Sequence, residues 1–524
     1  MASLLSRKNF IPVLIAFIVA ALAYLHNDIF IDFADEGFLW YGALHVLKGQ
    51  VPILDFQAYD PGRYYWCAAV LAVFGKGLLS LRLAAGLFQF LGLSLGLLAL
   101  RRALTSPVAL LWAGLLAVFF MLLPCRYFTA SLTPAALFFA VRLIEKPSPS
   151  RHLVAGLYTG VATFIAVNHG FYLFGAFLSL LLYLKVKGYA GAGRKNLFLY
   201  LTGTTAGLLP LWGMMIIPGF FDSYLLRLES ILTAFASGKA NVSFPVPWPW
   251  TVDWRSIASS LPGARAQSLE FTNRFFIGVL FIFITLWYLF SIPALARIQK
   301  PAQGPRALFI ASVFIGVFYL GHIFSRSDLV YLGEGIFPVM AGLLALRVFT
   351  PPSWKTICQF LVVLFSVASF LSAGLRSTII FKTMVPEGGM TWYHVGRDRI
   401  WLTKPDAKYI EDFRKLVAKH VDPQEPLLLA PLLTTFYCLL ERESPVHELY
   451  FHIAPIKAME ERTLRELEGK KVRWAIVADL PLDGRPEHAL SRSHPLLWRY
   501  LTEHYESVTS EGLKPGYALM RRKS

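Results

Sequence analysis

Apolar runs of about 17 residues or more recur along most of the chain, each long enough to cross about 30 Å of hydrocarbon as a helix. Eleven read as spans: 9–26, 79–100, 107–124, 128–144, 152–168, 170–187, 197–218, 273–296, 307–324, 329–347 and 355–375. The pattern predicts a mostly α, polytopic membrane protein with about 11 transmembrane helices. The first run follows Arg7 and Lys8, and its Ala21-Leu22-Ala23 resembles a signal cleavage site. The acidic residues just beyond favour a retained helix. Residues 62–75 (GRYYWCAAVLAVFG) are apolar but short. As a helix they reach only about 21 Å, too little for a comfortable span.

Charge decides whether that stretch crosses. If it does not, one set of short loops carries Arg7, Lys8, Arg101, Arg102, Arg142, Lys146, Arg151, Lys185, Lys187, Arg194, Lys195, Arg297, Lys300, Arg306, Arg347 and Lys355. The opposite short loops then carry only Arg126 and Arg326. If it crosses, the alternation breaks. The positive-inside rule selects the first arrangement, with a cytoplasmic N-terminus, residues 62–75 along the outer surface and the C-terminus outside. A bacterial cytoplasmic (inner) membrane is the expected location.

Three outer segments are long: 27–78, 219–272 and 376–524. The expected organisation is a transmembrane catalytic domain over 1–375 and an extracytoplasmic domain over 376–524. In the latter, Ala407–His420 has helical apolar spacing and Glu460–Lys470 reads as a charged helix. Leu427–Ala430 and Trp474–Val477 read as short buried strands, so a small α/β domain is expected.

Composition agrees with a membrane protein: 56% of residues are hydrophobic and 16% charged, where a soluble domain is nearer a quarter charged. The net charge of +17 fits cytoplasmic loops and anionic membrane lipids rather than nucleic acid. Cys67, Cys125, Cys358 and Cys438 form no CxxC pair. Neither a GxxxxGK[ST] loop nor HExxH occurs, and no cluster of His and Asp suggests a built-in metal site. A divalent cation held by carboxylates at Asp35, Glu36 or Asp55 is the one metal role left open.

The strongest chemical signal is Asp35-Glu36, directly after the first apolar run. Two carboxylates at a membrane boundary are costly to desolvate. Adjacent residues point apart on a helix, so one can deprotonate an acceptor while the other orients a sugar. The bland alternative is a solvated loop pair. Arg63 and Arg82 flank the short juxtamembrane stretch, Arg126 and Arg326 sit in outer turns, and His169 lies between the fifth and sixth spans. Any one arginine can simply snorkel to headgroups, and Asp328 can simply pair with Arg326. Glu334 lies within a span and needs a partner or a cavity. Trp248, Trp250 and Trp254 suit either sugar stacking or interfacial anchoring. Asn241-Val242-Ser243 matches a glycosylation sequon.

The run from Asp35-Glu36-Gly37 through Gly49-Gln50-Val51-Pro52-Ile53-Leu54-Asp55-Phe56 to Tyr59-Asp60-Pro61-Gly62-Arg63 resembles the first outer loop of the GT-C superfamily of membrane glycosyltransferases. It is nearest the branch of protein O-mannosyltransferases and bacterial lipid A aminoarabinose transferases. Asp60-Pro61-Gly62 departs from the Pro-Pro-Leu found in many members. The resemblance implies an inverting glycosyltransferase that moves a sugar from a polyprenyl-phosphate carrier to a glycan, lipid or protein acceptor on the outer face. It implies Asp35 as general base with Glu36 assisting. Asp55, Tyr59, Asp60, Arg63, Arg82, Arg126, His169, Arg326 and Asp328 are then candidates for donor or acceptor binding. The alternative is a transporter or flippase of lipid-linked saccharides. That reading expects midplane polar residues and two similar halves, whereas no repeat is visible here.

Overall fold

Helix occupies every one of the eleven expected spans in the computed structural model. It describes residues 7–25, 28–122, 128–189, 191–237, 244–251, 265–298, 302–374, 389–452 and 454–523. Arg126, Trp254 and the 241–243 sequon lie outside the described residues. Five helices are long and apolar enough to cross by themselves: Leu78–Leu100, Val167–Val186, Asn273–Arg297, Leu329–Phe349 and Pro352–Gly374. A sixth span arises if Arg194–Gly207 and Leu209–Met215, bent by 53°, count as one. The bend is where Pro210 enters, because proline cannot donate to the preceding turn. Asn9–Tyr24, Pro107–Met121 and Pro305–Val317 are apolar but shorter. Leu132–Glu145, with 14 residues, extends only about 21 Å. The chain is a multi-pass membrane protein, and the difference from eleven reflects helices that stop short of full-span length.

The contacts divide the chain into two units. The first comprises Met1–Asn27, Arg82–Pro210 and Val242–Val385. Its core is a bundle of buried Leu, Ala, Phe and Ile side chains from nearly every helix. The closest approach is between helices Pro149–Ile165 and Arg194–Gly207. Both carry glycines four apart. A Cβ on Gly156 or Gly160 would strike the carbonyl oxygen of Tyr200 or Thr204, and one on Gly203 or Gly207 that of Leu153 or Leu157. Such backbone contact drives helix association where water supplies no hydrophobic force. Thr159 Oγ1 and Tyr200 Oη, 3.2 Å apart, add a buried hydrogen bond at the same seam.

The second unit comprises Asp28–Leu81, Leu211–Asn241 and Pro386–Ser524. The first loop therefore clusters with the C-terminal segment, whereas the expected division at 375 separated them. Strand β1 (Met390–Val395) pairs antiparallel with β2 (Asp398–Thr403). The Trp401 N–H donates to the Asp28 carbonyl and its own carbonyl accepts from Phe30 N–H. A second sheet has the order β3 (Leu427–Leu429), β4 (Trp474–Ala478), β6 (Tyr517–Arg522), β5 (Tyr505–Thr509). β3 and β4 are parallel and the other pairs antiparallel. The first two are buried throughout, as expected of strands covered on both faces. Helix Lys404–His420 is capped by Thr403 and buries Tyr409, Ile410, Phe413, Leu416 and Val417. The expected small α/β arrangement is present, joined to a β1–β2 hairpin that periodicity missed.

Gly156→Val and Gly160→Val should each lower the stability of the detergent-solubilised protein by about 2 kcal/mol or more, the scale of overpacking. Thermal unfolding checks this. A nearby exposed substitution such as Leu157→Val should change little by comparison.

Candidate active site

Helix Asp35–Leu47 begins at the acidic motif, and its start is organised by a third carboxylate. Asp32 Oδ1 accepts from the backbone N–H of Ala34 at 2.8 Å and of Asp35 at 2.6 Å. Glu36 reaches back, its Oε2 accepting from Asp32 N–H at 3.3 Å. This reciprocal arrangement satisfies helix-terminal donors, and the helix dipole favours negative charge there. Burial, then the Asp35 charge, raises Asp32 above the usual carboxylate range. Glu36 is buried, whereas Asp35 stays half-exposed at the helix start. Gly37 follows because helix Thr434–Leu439 lies against it: a Cβ there would strike the Thr435 backbone and hydroxyl. Thr435 also donates from N–H to the Phe33 carbonyl and from its hydroxyl to the Asp32 carbonyl.

The Asp35 carboxylate is held from far along the chain. Tyr450 donates its hydroxyl to Asp35 Oδ1 at 2.7 Å. Gln57 sets Tyr450 in turn, its Oε1 accepting from the N–H groups of Leu449 and Tyr450, both at 2.8 Å. His447 Nε2 donates to the Ile53 carbonyl at 2.9 Å. Phe38, one turn along the helix, stacks edge-on with Tyr450 and with Tyr59, at centroid distances of 5.6 and 4.9 Å. The Arg63 guanidinium lies over the Tyr59 ring at 5.4 Å.

Asp60 is brought between two cations, Arg63 at 3.6 Å and Arg227 at 3.3 Å. Arg227, on helix Phe220–Ala236, was not among the candidates read from the sequence. The signal for it was a cation on an amphipathic helix. Asp55 is not brought into this group through its carboxylate, whose Oδ2 closes its own turn by accepting from Val51 N–H at 2.6 Å. Helix Asp35–Leu47 also lines a cavity of about 810 Å³ with Trp40 and Tyr41, joined by Lys48, Lys76, Arg414 and Arg442.

The remaining candidates belong to the first unit. Arg82 is buried. Arg326 donates from Nε to Asp328 at 2.7 Å, and its guanidinium lies over the Phe244 ring at 4.6 Å. Asp328 thus pairs with Arg326, and it also caps helix Leu329–Phe349 through Val330 and Tyr331 N–H. Trp248 and Trp250 stack on each other, 5.3 Å apart. His169 is fully buried, with Nδ1 3.2 Å from the Tyr319 hydroxyl.

Seventeen chains of solved structure match this one, while no protein-family model matches and no curated protein is similar in sequence. ArnT from Cupriavidus metallidurans in the apo state, a lipid A aminoarabinose transferase, superposes with TM-score 0.50 at 13% identity, covering 97% of each chain. The Archaeoglobus fulgidus oligosaccharyltransferase, crystallised with Zn and sulfate, superposes with TM-score 0.54 at 12% identity over 92% of this chain and 70% of that one. Both are GT-C proteins. The chain has the GT-C fold.

Within this GT-C fold, two groups of side chains correct the expectation that no His and acidic residues cluster. His169, His322 and Glu334 meet in the first unit, and His452, Asp483 and His488 in the second, their ligand atoms within 4.8 Å of one another. Asp35, Glu36 and Asp55 form no such group among the described residues. Glu334 meets the need for partners: Thr129 donates to Oε1 and His322 bonds Oε2, with His169 Nε2 at 3.4 Å.

Asp32→Asn should keep the capping oxygen and remove the penalised charge. Its stability at neutral pH should equal or exceed wild type, while Asp32→Ala should lose about 1 kcal/mol. Because the folded-state value is raised, ionised Asp32 costs stability above it, and wild type should gain as pH falls through it. Thermal unfolding across acidic pH should show this gain in wild type and its absence in Asp32→Asn.

Proposed function

We propose that the chain is an inverting glycosyltransferase that takes a sugar from a polyprenyl-phosphate carrier and places it on an acceptor at the outer face of a bacterial cytoplasmic membrane. The observation that carries this reading is the Asp35 carboxylate. It stands at a helix start after the first apolar helix, half-exposed, and is oriented by Tyr450 in a chain with the GT-C fold.

Asp35 accepts the proton of the acceptor hydroxyl or amine as that atom attacks the anomeric carbon. The bond from this carbon to the phosphate oxygen breaks on the opposite face, and the configuration inverts in one step without a covalent enzyme intermediate. Polyprenyl phosphate departs with the bonding electrons. Arg63 and Arg227 are its candidate partners, since a guanidinium meets phosphate oxygens with paired donors. Asp60 keeps both cations in place until then. Glu36 supports the helix start that aims Asp35. The cavity beside Trp40 and Tyr41 is of a size suited to a saccharide. The Archaeoglobus protein was crystallised with zinc. The matching donor sets here are the two His-carboxylate groups, and the transfer step above runs through neither.

Transfer is measured with purified protein and a water-soluble short-chain polyprenyl-phosphate sugar. Asp35→Asn should reduce turnover by about two to four orders of magnitude with folding intact. Wild-type turnover in that variant would remove Asp35 from the mechanism. Tyr450→Phe removes the hydrogen bond that aims the base, so turnover should fall by about tenfold with the donor KM little changed. Unchanged turnover would show that Tyr450 does not act on the base.

Arg227→Ala should weaken donor use by about ten- to a hundredfold, and Arg227→Lys by less. Steady-state kinetics on the same short-chain donor checks this, and equal losses in Lys and Ala variants would speak against a forked phosphate contact.

A further inference from the structure

His488 is 2% exposed, and neither ring nitrogen has a hydrogen-bond partner among the described residues. A buried imidazole usually satisfies both nitrogens, and an orphaned one is costly. The ring faces His452, with centroids 4.7 Å apart at 67°. His452 Nε2 lies 3.3 Å from Asp483 Oδ2. The ligand atoms of all three residues fall within 4.8 Å of one another.

We propose that His452, Asp483 and His488 bind a zinc-type divalent transition cation. Zinc–ligand bonds of about 2.0–2.1 Å in a tetrahedron place neighbouring donor atoms about 3.3 Å apart, the separation that His452 and Asp483 already have. Two imidazoles and one carboxylate suit Zn²⁺ far better than Ca²⁺ or Mg²⁺, which prefer oxygen shells. Three protein ligands leave a fourth position for water. The residues come from two segments, one around His452 and one carrying Asp483 and His488. The second segment runs through two tight turns, Leu482–Gly484 and Pro486–His488, with Asp483 at φ 54° and Gly484 at φ 70°. A metal would tie that loop to the stretch carrying Tyr450, whose ring lies 6.0 Å from that of His452. Arg485 is the nearest cation in sequence, and its charge is opposed by Glu487 at 3.8 Å.

The His169–His322–Glu334 group makes a useful contrast. Its carboxylate already receives Thr129 and His322, so its burial is explained without a metal. The site at His488 lacks that explanation.

The site stands or falls independently of the transfer reaction. The full-length chain is stripped with chelator, dialysed against Zn²⁺ and analysed for metal content, with thermal unfolding alongside. Wild type should retain one more equivalent of zinc than His488→Ala, His452→Ala or Asp483→Asn. Zn²⁺ should raise the wild-type midpoint by several degrees, and the variants by less. Co²⁺ should give the visible absorption of a tetrahedral site in wild type, lost in the variants. Asp483 is exposed, so Asp483→Asn tests the site even where the histidine variants fold poorly. Zinc content and midpoint shift unchanged in Asp483→Asn and His488→Ala, or no zinc retained by wild type, would overturn the proposal.

Discussion

One long-range hydrogen bond fixes the direction of the Asp35 carboxylate while leaving it half-exposed. Tyr450 grips one oxygen, and the helix start supplies the rest of the restraint through Asp32 and Glu36. The contact joins residues 415 positions apart, so everything between must fold to deliver it. Gln57 shows how that is done. One side-chain oxygen receives two successive backbone N–H groups, which fixes the peptide that carries Tyr450. The Phe38–Tyr59–Arg63–Asp60 chain then extends the same rigid surface toward Arg227.

The helical unit solves a different problem, how to associate where lipid is as apolar as leucine. Glycines at 156, 160, 203 and 207 let two backbones touch, and a Thr159–Tyr200 hydrogen bond locks the seam. Glu334 illustrates the complementary rule. A carboxylate with no solvent contact persists only because hydroxyl and imidazole partners surround it.

What was legible in the sequence follows from which interactions are local. The helices could be placed because apolar runs register directly in composition. The α/β character of the tail was visible in Leu427–Leu429, Trp474–Ala478 and the face of Lys404–His420. Asp35-Glu36 stood out because paired charge beside an apolar run is costly, and the pairing of Asp328 with Arg326 was readable from a spacing of two. Tyr450, Arg227 and both His-carboxylate groups were not readable in this way. Their partners are brought in by tertiary folding, and a lone tyrosine or histidine in a polar tail has no periodic signature. Asp32 was noted only as one acid among several, because its value lies in a backbone contact. Helix interruptions were not legible for a related reason. Hydropathy does not register where a helix breaks, as it does at Pro210 and around Phe318.

Structural likeness at 13% identity beside a silent sequence comparison has a physical basis in the same division. A lipid-facing position asks only for an apolar side chain, so nearly every letter of a span can change without moving the helix. The second unit is less permissive at a few points. Gly37 admits no Cβ against Thr435. Gln57 must offer one acceptor to two donors, which a shorter amide or a carboxylate would misplace or charge. Tyr450 must carry a hydroxyl at the end of a ring packed on Phe38. These constraints fall on isolated residues, so little of them accumulates in an alignment score. The second unit is therefore held at a handful of positions fixed by geometry, while most letters of the spans are weakly constrained.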